Sequence, residues 1–594
     1  MSTTSPAYQA ARKLYDEGRL VECRQSLQRA LQRSPGDADL NMLMGGVLVE
    51  MGQPEGAVYF LERACSISPQ NHTARSILAE ALMHSGKLAA AEKAFRAVVA
   101  AEAVSYSPRI NLANILIRQG TVGEAETLLR EAAAIRPERF EALNNLALLM
   151  LDCGRADEAA AMIRARRDQR PGDPAVNRCL ANILNYVDEA REGESLEAHR
   201  VHGDWLVNSA AAAAAQLPPL AAAGAGGRRI RLGYMSPDFR EHSVAYFVEP
   251  ILRNHDRSRF EVFAYSSTGS VDARTERFKT LVEHWRDIAR INDVAAARQV
   301  RQDGIDILVD LAGLTNNHRL GVLALRGAPV QVTYCGYPST TGLSTVDYRI
   351  VDEVTDPPGF ESRCVETLRR LKGPGSFSCY DPPVSSPEPA WDSSGPVTFG
   401  SFNVLSKVTP GVVALWCRVL REAPGTRLIL KARSLADRAV RGRYQELVRS
   451  HGIESERVEL MGPVASVADH LAVYSRVAVA LDPFPYNGTT TTYEALWMGV
   501  PVVTLAGRTH AGRVGASILT GLGEHGLTAQ SVDEYVAKAV ELAQDVARVG
   551  SYRRTLRHRL KESALCDAAG FTRRFEEALD EAGKGSKFKL QSSD

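Results

Sequence analysis

The sequence has almost no net charge: 71 Lys and Arg stand against 70 Asp and Glu, leaving +1 at pH 7 with histidine neutral. So small a balance gives no general pull toward nucleic acid or anionic membrane, and partners have to be recognised locally. No two cysteines are spaced C-x-x-C, and the nine present, from Cys23 to Cys566, are an odd number. That argues against a disulfide framework or a zinc site and for free thiols in a reducing compartment, the cytoplasm by default. No apolar stretch approaches membrane-spanning length, and "MSTTSPAYQAARKLYDEGRL" lacks a basic segment followed by an apolar one. The only D-x-D, Asp37 to Asp39, falls in a repeat turn, so no metal requirement is predicted.

What is present begins with a period. At 594 residues the chain is too long for one core, and three or four compact units are expected. Gly18, Gly52, Gly86, Gly120 and Gly154 are each 34 residues apart. Seven residues before each lies Ala11, Gly45, Ala79, Ala113 or Ala147, and five after lies Cys23, Ala57, Ala91, Ala125 or Ala159. Small residues in register suit closely crossing helices. Pro35, Pro69, Pro137 and Pro171 close four of the five repeats. Helix, glycine turn, helix, proline at this period is the tetratricopeptide layout, and a sixth first helix around Ala181 is expected to cap the stack. Such arrays form a solenoid whose groove binds peptide segments. Asn111, Asn114, Asn144 and Asn145 lie on groove-facing helices, whereas Gln9, Leu43 and Ile77 interrupt any continuous asparagine ladder. Solvated polar residues on a helix face are the alternative.

Residues 208–227, "NSAAAAAAQLPPLAAAGAGG", read as a linker of low complexity. From Ile230 onward, β-rich runs such as "IRLGYMS", "FEVFAYS" and "VQVTYCG", then "VTFGSFN", "TRLILKA" and "VAVALD", alternate with helix-length segments. That implies parallel sheets built from βαβ units, in two groups divided by the Pro/Ser-rich "YDPPVSSPEPAWDSSGP". Two Rossmann-like lobes facing a cleft are expected, with ligands at the carboxyl ends of the strands. One strand-end loop carries "NGTTTTYE". Gly488, Thr489, Thr490 and Thr491 would meet a phosphate at a helix N-terminus, and Glu494, about one turn on, could reach ribose hydroxyls. A threonine N-cap with nothing bound is the other reading of the same spacing.

"SPDFREHSVAYFVEP", "APVQVTYCGYPSTTGLSTVDYRIVDEVTDPP", "VTFGSFNVLSKVTP" and "LDPFPYNGTTTTYEALWMGVPVVTLAGRTHAGRVGASIL" together resemble the O-GlcNAc transferase and SPINDLY family, glycosyltransferase family 41, from about Ile230 to Thr572. The resemblance implies a multidomain protein, an all-α tetratricopeptide solenoid followed by an α/β GT-B fold. The expected boundaries are 1–195 for the solenoid, 196–228 for a helix and linker, 229–385 for the acceptor-side lobe, 386–396 between lobes, 397–580 for the nucleotide-sugar lobe and 581–594 for a tail. It implies an inverting, metal-independent transfer of one sugar from a nucleotide donor to Ser or Thr of proteins. UDP-GlcNAc is the expected donor, with GDP-fucose and a CMP-linked nonulosonic acid as alternatives. The last would make flagellin the acceptor, in a bacterial source. A catalytically inactive repeat scaffold is the alternative of another class.

On the same resemblance Lys407 contacts the donor diphosphate, where a fixed cation stabilises charge growing on the leaving group. Asn403 belongs to the same motif. His242 matches the family's active-site histidine, able to accept the acceptor proton or orient the acceptor. If a helix begins at His242, then Tyr246 and Glu249 share its face, which makes Glu249 a second candidate base. His470 corresponds to a histidine beside the nucleotide base, and 336–342, "GYPSTTG", to a loop bordering sugar and acceptor. Asp238, Arg319 and Arg513 lie inside the motifs as supporting residues. Val404, Leu314 and the C-terminal segment depart from the family pattern.

Overall fold

The computed structural model describes residues 5–187, 193–220, 228–383, 385–391 and 394–585, and the chain divides into two compact units, 1–149 and 150–594. The first unit is a series of antiparallel helix pairs, from Pro6–Asp16 and Leu20–Arg33 through Tyr106–Gln119 and Val122–Ile135. All five period-setting glycines, including Gly154 in the second unit, have φ between 69° and 82°. That is the left-handed conformation that ends a helix and is cheap only without a Cβ. The in-register small residues are the helix contacts. Ala11, Ala57, Ala79, Ala91, Ala113 and Ala125 are fully buried, and a Cβ on Gly45 would come within 2.3 Å of the Leu61 side chain. Asp37 and Asn71 cap the next helices by accepting from Leu40 and Ala74 N–H. Asn111 and Asn145 donate to Glu80 and Asn114, at 3.4 and 3.3 Å, so these amides bond to neighbours along the array.

The second unit holds two wholly parallel sheets. In the first, β1 (Ile230–Ser236), β2 (Phe260–Ser266), β3 (His284–Asp287), β4 (Ile307–Asp310), β5 (Val330–Thr333), β6 (Tyr348–Val351) and β7 (Thr367–Arg370) take the order 3-2-1-4-5-6-7. In the second, β8 (Thr398–Ser401), β9 (Arg427–Lys431), β10 (Val458–Met461), β11 (Val479–Leu481), β12 (Val502–Leu505) and β13 (Thr528–Ala529) take the order 10-9-8-11-12-13. Strand order reverses between β1 and β4 and again between β8 and β11. Loops leaving those pairs are where an open α/β sheet holds its ligand. Central strands are apolar on both faces, as expected where helices cover both: β4 and β5 are buried along their whole length.

Two expectations need correction. The alanine run is not a linker from Asn208: helix Glu194–Ala214 continues through it. Leu206, Val207, Ala210, Ala213 and Ala214 pack on the core of the first sheet, and Leu217 is buried there. Alanine is the best helix former and needs no long side chain to pack closely, so low complexity here marks a close helix contact; residues 221–227 lie outside the described residues. Helix Pro174–Ile183, expected to cap the array, packs on the preceding repeat helix, Ala156–Gln169, and also adds Ala181 to that same core. Finally, the last helix, Ala568–Gly585, runs past the expected start of a tail at 581. It turns back to the first lobe, where Glu576 accepts from Asp256 N–H at 2.9 Å and pairs with His255 Nδ1 at 2.8 Å.

Candidate active site

Lys407 ends a short 3-10 turn, Leu405–Lys407, after β8, and helix Thr490–Trp497 follows the loop that leaves β11. These are the two strands flanking the reversal in the second sheet. The Lys407 ammonium donates to the Asn487 carbonyl at 2.7 Å and lies 3.9 Å from the centre of the Tyr486 ring. Burial pushes its pKa down to about 8, and the Asp482 carboxylate pulls it back up. Asp482, the residue after β11, accepts from Gly488 N–H at 2.7 Å and from the Thr504 hydroxyl at 2.6 Å. Burial pushes its pKa up, and those two hydrogen bonds with the Lys407 charge oppose that. One buried carboxylate therefore both shapes the loop and serves as counter-ion to the lysine.

The four threonines divide their work. Thr492 is buried and turns back to the Gly488 carbonyl at 3.0 Å. Thr491 donates to Asn403 Oδ1 at 2.9 Å, so Asn403, itself buried, orients a threonine from behind. Thr489 is the helix N-cap but makes no side-chain capping bond, and Thr489, Thr490 and Thr491 are all partly exposed. The first-turn N–H groups have no intrahelical acceptors, so this end presents donors and the positive end of a helix dipole. Gly488 leaves no room for a side chain: its Cβ would meet Thr491 Oγ1 at 2.4 Å and Thr492 Oγ1 at 2.9 Å.

Beside this end, Lys431 at the close of β9 donates to His470 Nδ1 at 2.8 Å, and His470 Nε2 faces Glu494 at 3.1 Å. With Nδ1 accepting, the ring carries its proton on Nε2 and donates it to Glu494. Burial lowers the Lys431 pKa, and the Glu494 charge opposes that shift. Phe402 and Tyr474 wall the histidine, with ring centroids 5.8 and 5.9 Å away. The arrangement sets a histidine and a carboxylate against two buried aromatic rings beside the helix end.

From the first lobe, helix Ala245–Asn254 starts later than the sequence suggested, so His242 sits in the turn before it, on the loop from β1. His242 Nδ1 accepts from Val244 N–H at 3.3 Å and lies 3.6 Å from the Asp238 carboxylate. Burial lowers its pKa, Asp238 raises it in part, and the imidazole is neutral at neutral pH. In this tautomer Nε2 is a donor; moving the proton to Nδ1, toward Asp238, converts Nε2 to an acceptor. Glu249 is not available as a base. It is buried, Oε1 meets Arg253 at 3.0 Å and Arg277 at 2.5 Å, and Oε2 meets Arg274 at 3.1 Å. Three guanidiniums hold it as a structural anion. Phe247 and Tyr380 pack on Tyr493, at 5.7 and 4.8 Å between centroids, which brings helix Ala245–Asn254 against helix Thr490–Trp497.

Among the supporting residues, Arg319 binds Asp293 and the Ile288 and Ile291 carbonyls, which is structural. Arg513 donates to the Val354 carbonyl and ties the lobes together. The 336–342 loop is held rather than free: Glu366 accepts from Thr340 Oγ1 at 2.6 Å and from Thr341 N–H at 2.7 Å. Val404 is exposed. Asp482, Lys431 and Tyr486 were not foreseen. The first two stand at the carboxyl ends of parallel strands, where the fold rule directs attention, and that was the available signal. A recess of about 600 Å³ lined by Arg427, Arg457, Glu459 and Arg476 opens at the amino ends of the same strands, away from these groups; Arg476 is spent on Glu459.

The chain belongs to glycosyltransferase family 41: the model described as Glycosyl transferase family 41 matches residues 216–373 and 392–575, and a tetratricopeptide repeat model matches 48–115 and 116–183. It is 43% identical over 408 residues to a probable UDP-N-acetylglucosamine–peptide N-acetylglucosaminyltransferase SPINDLY of Solanum lycopersicum, covering 67% of this chain and 43% of that protein. The chain thus spans less than half the length of that relative. To the probable transferase SEC of Arabidopsis thaliana it is 31% identical over 346 residues, 56% of this chain and 35% of the other. A solved lysine-to-methionine mutant of the Thermobaculum terrenum O-GlcNAc transferase is 33% identical, with a TM-score of 0.77 over 87% of this chain and 98% of that one. In the sequence the tetratricopeptide repeats precede two parallel-sheet lobes, consistent with a GT-B fold. Among the described residues no helix is long and apolar enough to cross a membrane.

Proposed function

We propose that the protein transfers a single sugar from a nucleotide donor, with inversion, to Ser or Thr hydroxyls of acceptor proteins held by the repeat array. The observation that carries this reading is the meeting of Lys407 with the threonine-rich start of helix Thr490–Trp497 at the strand-order reversal, 2.7 Å from the Asn487 carbonyl. A diphosphate laid there meets an ammonium, free helix N–H groups and the Thr490 hydroxyl. As the acceptor oxygen attacks the anomeric carbon, the bond to the phosphate oxygen breaks and its electron pair stays on the diphosphate. Donors fixed beforehand at that oxygen stabilise the transition state more than the ground state. In this reading they take the part a divalent metal plays elsewhere, and the reaction needs none. His470 and Glu494 hold base and ribose, and His242 receives the acceptor proton or orients the hydroxyl that loses it.

UDP-GlcNAc is the donor of choice, supported by the names of the relatives. The SPINDLY-like spelling of "GSFNVLSKVTP" and "FPYNGTTTTYE" favours GDP-fucose as the second reading. The tetratricopeptide array supports a protein acceptor, flagellin being one candidate, and nine cysteines with no disulfide among the described residues support a reducing compartment such as the cytoplasm. The test is transfer to Ser/Thr peptides and whole acceptor proteins, read by intact mass, with UDP-GlcNAc, GDP-fucose and a CMP-nonulosonic acid offered separately under chelator. One sugar added from one donor, lost in Lys407→Ala, supports the proposal. A folded protein that adds no sugar from any donor yet still captures its partner is the inactive scaffold.

A further inference from the structure

We propose that Tyr186, with the turn at Gly154, is a positioning element for Lys407, so that the end of the repeat array forms a wall of the donor phosphate site. The inference rests on the reading of Lys407 given above. Residues 150–187 lie in the same compact unit as the two lobes, and they reach the lysine by two separate routes.

The first route is aromatic. Tyr186 closes the 3-10 turn Leu184–Tyr186 that follows the last repeat helix. Its ring packs on Tyr486 at 4.9 Å between centroids and 35° between planes, and Tyr486 carries the Lys407 ammonium 3.9 Å from its own centre. The Tyr186 phenol also faces the side chain of Ser406, the residue before Lys407. One tyrosine thus braces the ring beneath the ammonium and lies beside the loop that delivers it. A ring face attracts the charged amine, and the attraction falls away quickly with displacement, so a fixed Tyr486 favours the protonated lysine.

The second route is backbone packing. A Cβ on Gly154 would lie 2.9 Å from the Leu405 and Val408 carbonyl oxygens and 2.0 Å from the Tyr444 hydroxyl, which donates to Val408 at 2.7 Å. Arg443 donates to the Cys153 carbonyl at 2.8 Å and Ser434 to that of Asp152 at 3.1 Å. The repeat turn is seated directly on the 404–408 loop. Gly154 serves the array as its left-handed glycine and serves the lysine loop as the one residue small enough for this contact.

Mere packing predicts a lower melting temperature with unchanged chemistry per folded molecule. Positioning predicts altered chemistry. The experiment measures kcat and KM against pH for the full chain, with whichever of UDP-GlcNAc and GDP-fucose the wild type uses, in Tyr186→Leu and Tyr186→Phe. Tyr186→Leu is expected to lower kcat about tenfold, with donor KM changed less, and to move the alkaline limb of kcat/KM down by about half a pH unit. Tyr186→Phe restores the ring and moves both back toward wild type. Should Tyr186→Leu not fold, Tyr486→Leu and Ser406→Ala remove the same two contacts without touching it. A folded Tyr186→Leu, or that pair, with wild-type limb and kcat overturns the proposal. Lys407→Ala run alongside separates the two claims: if it stays active the lysine reading fails, and if it is dead while Tyr186→Leu is normal only the bracing fails.

Discussion

At the scale of the residue, the proposed reaction turns on whether Lys407 is charged when the leaving group departs. Its ordinary ammonium would be protonated at any physiological pH, but burial brings it down to about 8 against the pull of Asp482. Because kcat/KM reports free-enzyme ionisations, it should fall as pH rises through about 8. A bound diphosphate favours the ammonium, so the limb in kcat should lie higher. On the acid side, His242 is lowered by burial, so the limb for its neutral form should lie below the usual histidine value of about 6.5. A full pH series of kcat/KM checks both; a profile flat from pH 7 to 10 would contradict the role given to Lys407. Replacing Lys407 with alanine should reduce kcat by roughly 10²–10³, the usual loss for one transition-state donor, measured on protein shown to be folded. Glu249→Gln should behave in the opposite way. With three arginines left facing a neutral amide, it should cost about 2 kcal/mol of stability, discounted because Arg253 and Arg277 are half exposed, and leave turnover per folded molecule intact. Thermal melts beside activity distinguish this from a lost base. The mistake over Glu249 is itself informative: helical spacing showed which residues share a face but not the arginines of 274 and 277 that arrive from another helix.

At the scale of the element, the donor end of helix Thr490–Trp497 is built by what lies behind it. Asp482 folds the loop, Gly488 lets the hydroxyls close over it, and Asn403 turns Thr491. Gly488→Ala should therefore weaken nucleoside diphosphate binding at least about tenfold while Lys407 is untouched, because a methyl 2.4 Å from Thr491 Oγ1 must displace the first turn. Calorimetry on a variant with native circular dichroism reads this, and unchanged affinity would mean that the threonines are not the phosphate grip. Elements were legible in proportion to their burial. The runs around β1 and β2 stood out because a buried parallel strand is apolar throughout, and the structure places them at Ile230–Ser236 and Phe260–Ser266. The strands β3, β7 and β13 went unnoticed. Each is an edge strand, and "HWRD" and "TLRR" are mostly half-exposed and polar, without the pattern that a covered strand must have. The alanine-rich helix escaped for the complementary reason, since a helix packed through small side chains has no apolar periodicity to read.

At the scale of the molecule, the repeat was the most legible feature, because a 34-residue period repeats its own signal and every one of its glycines takes the left-handed turn. What the last repeat packs against was not legible. A solenoid repeat looks the same in sequence whether its outer face meets solvent, another repeat or a catalytic lobe. Hence Gly154 and Tyr186 read as ordinary repeat residues, although one seats on the Lys407 loop and the other braces Tyr486. The catalytic lobes were recognisable from long motifs, but the donor was not, since the lysine, the helix end and the carboxylate treat every nucleoside diphosphate alike. The measurement that tests the account most directly is calorimetric titration of UDP, GDP and CMP, without metal, into the full chain and into Lys407→Ala. One nucleotide should bind the wild type and lose at least about tenfold in the variant, which would also name the donor class. If none of the three binds the folded wild type, or if the variant binds as well as the wild type does, the donor site is not where we have described it.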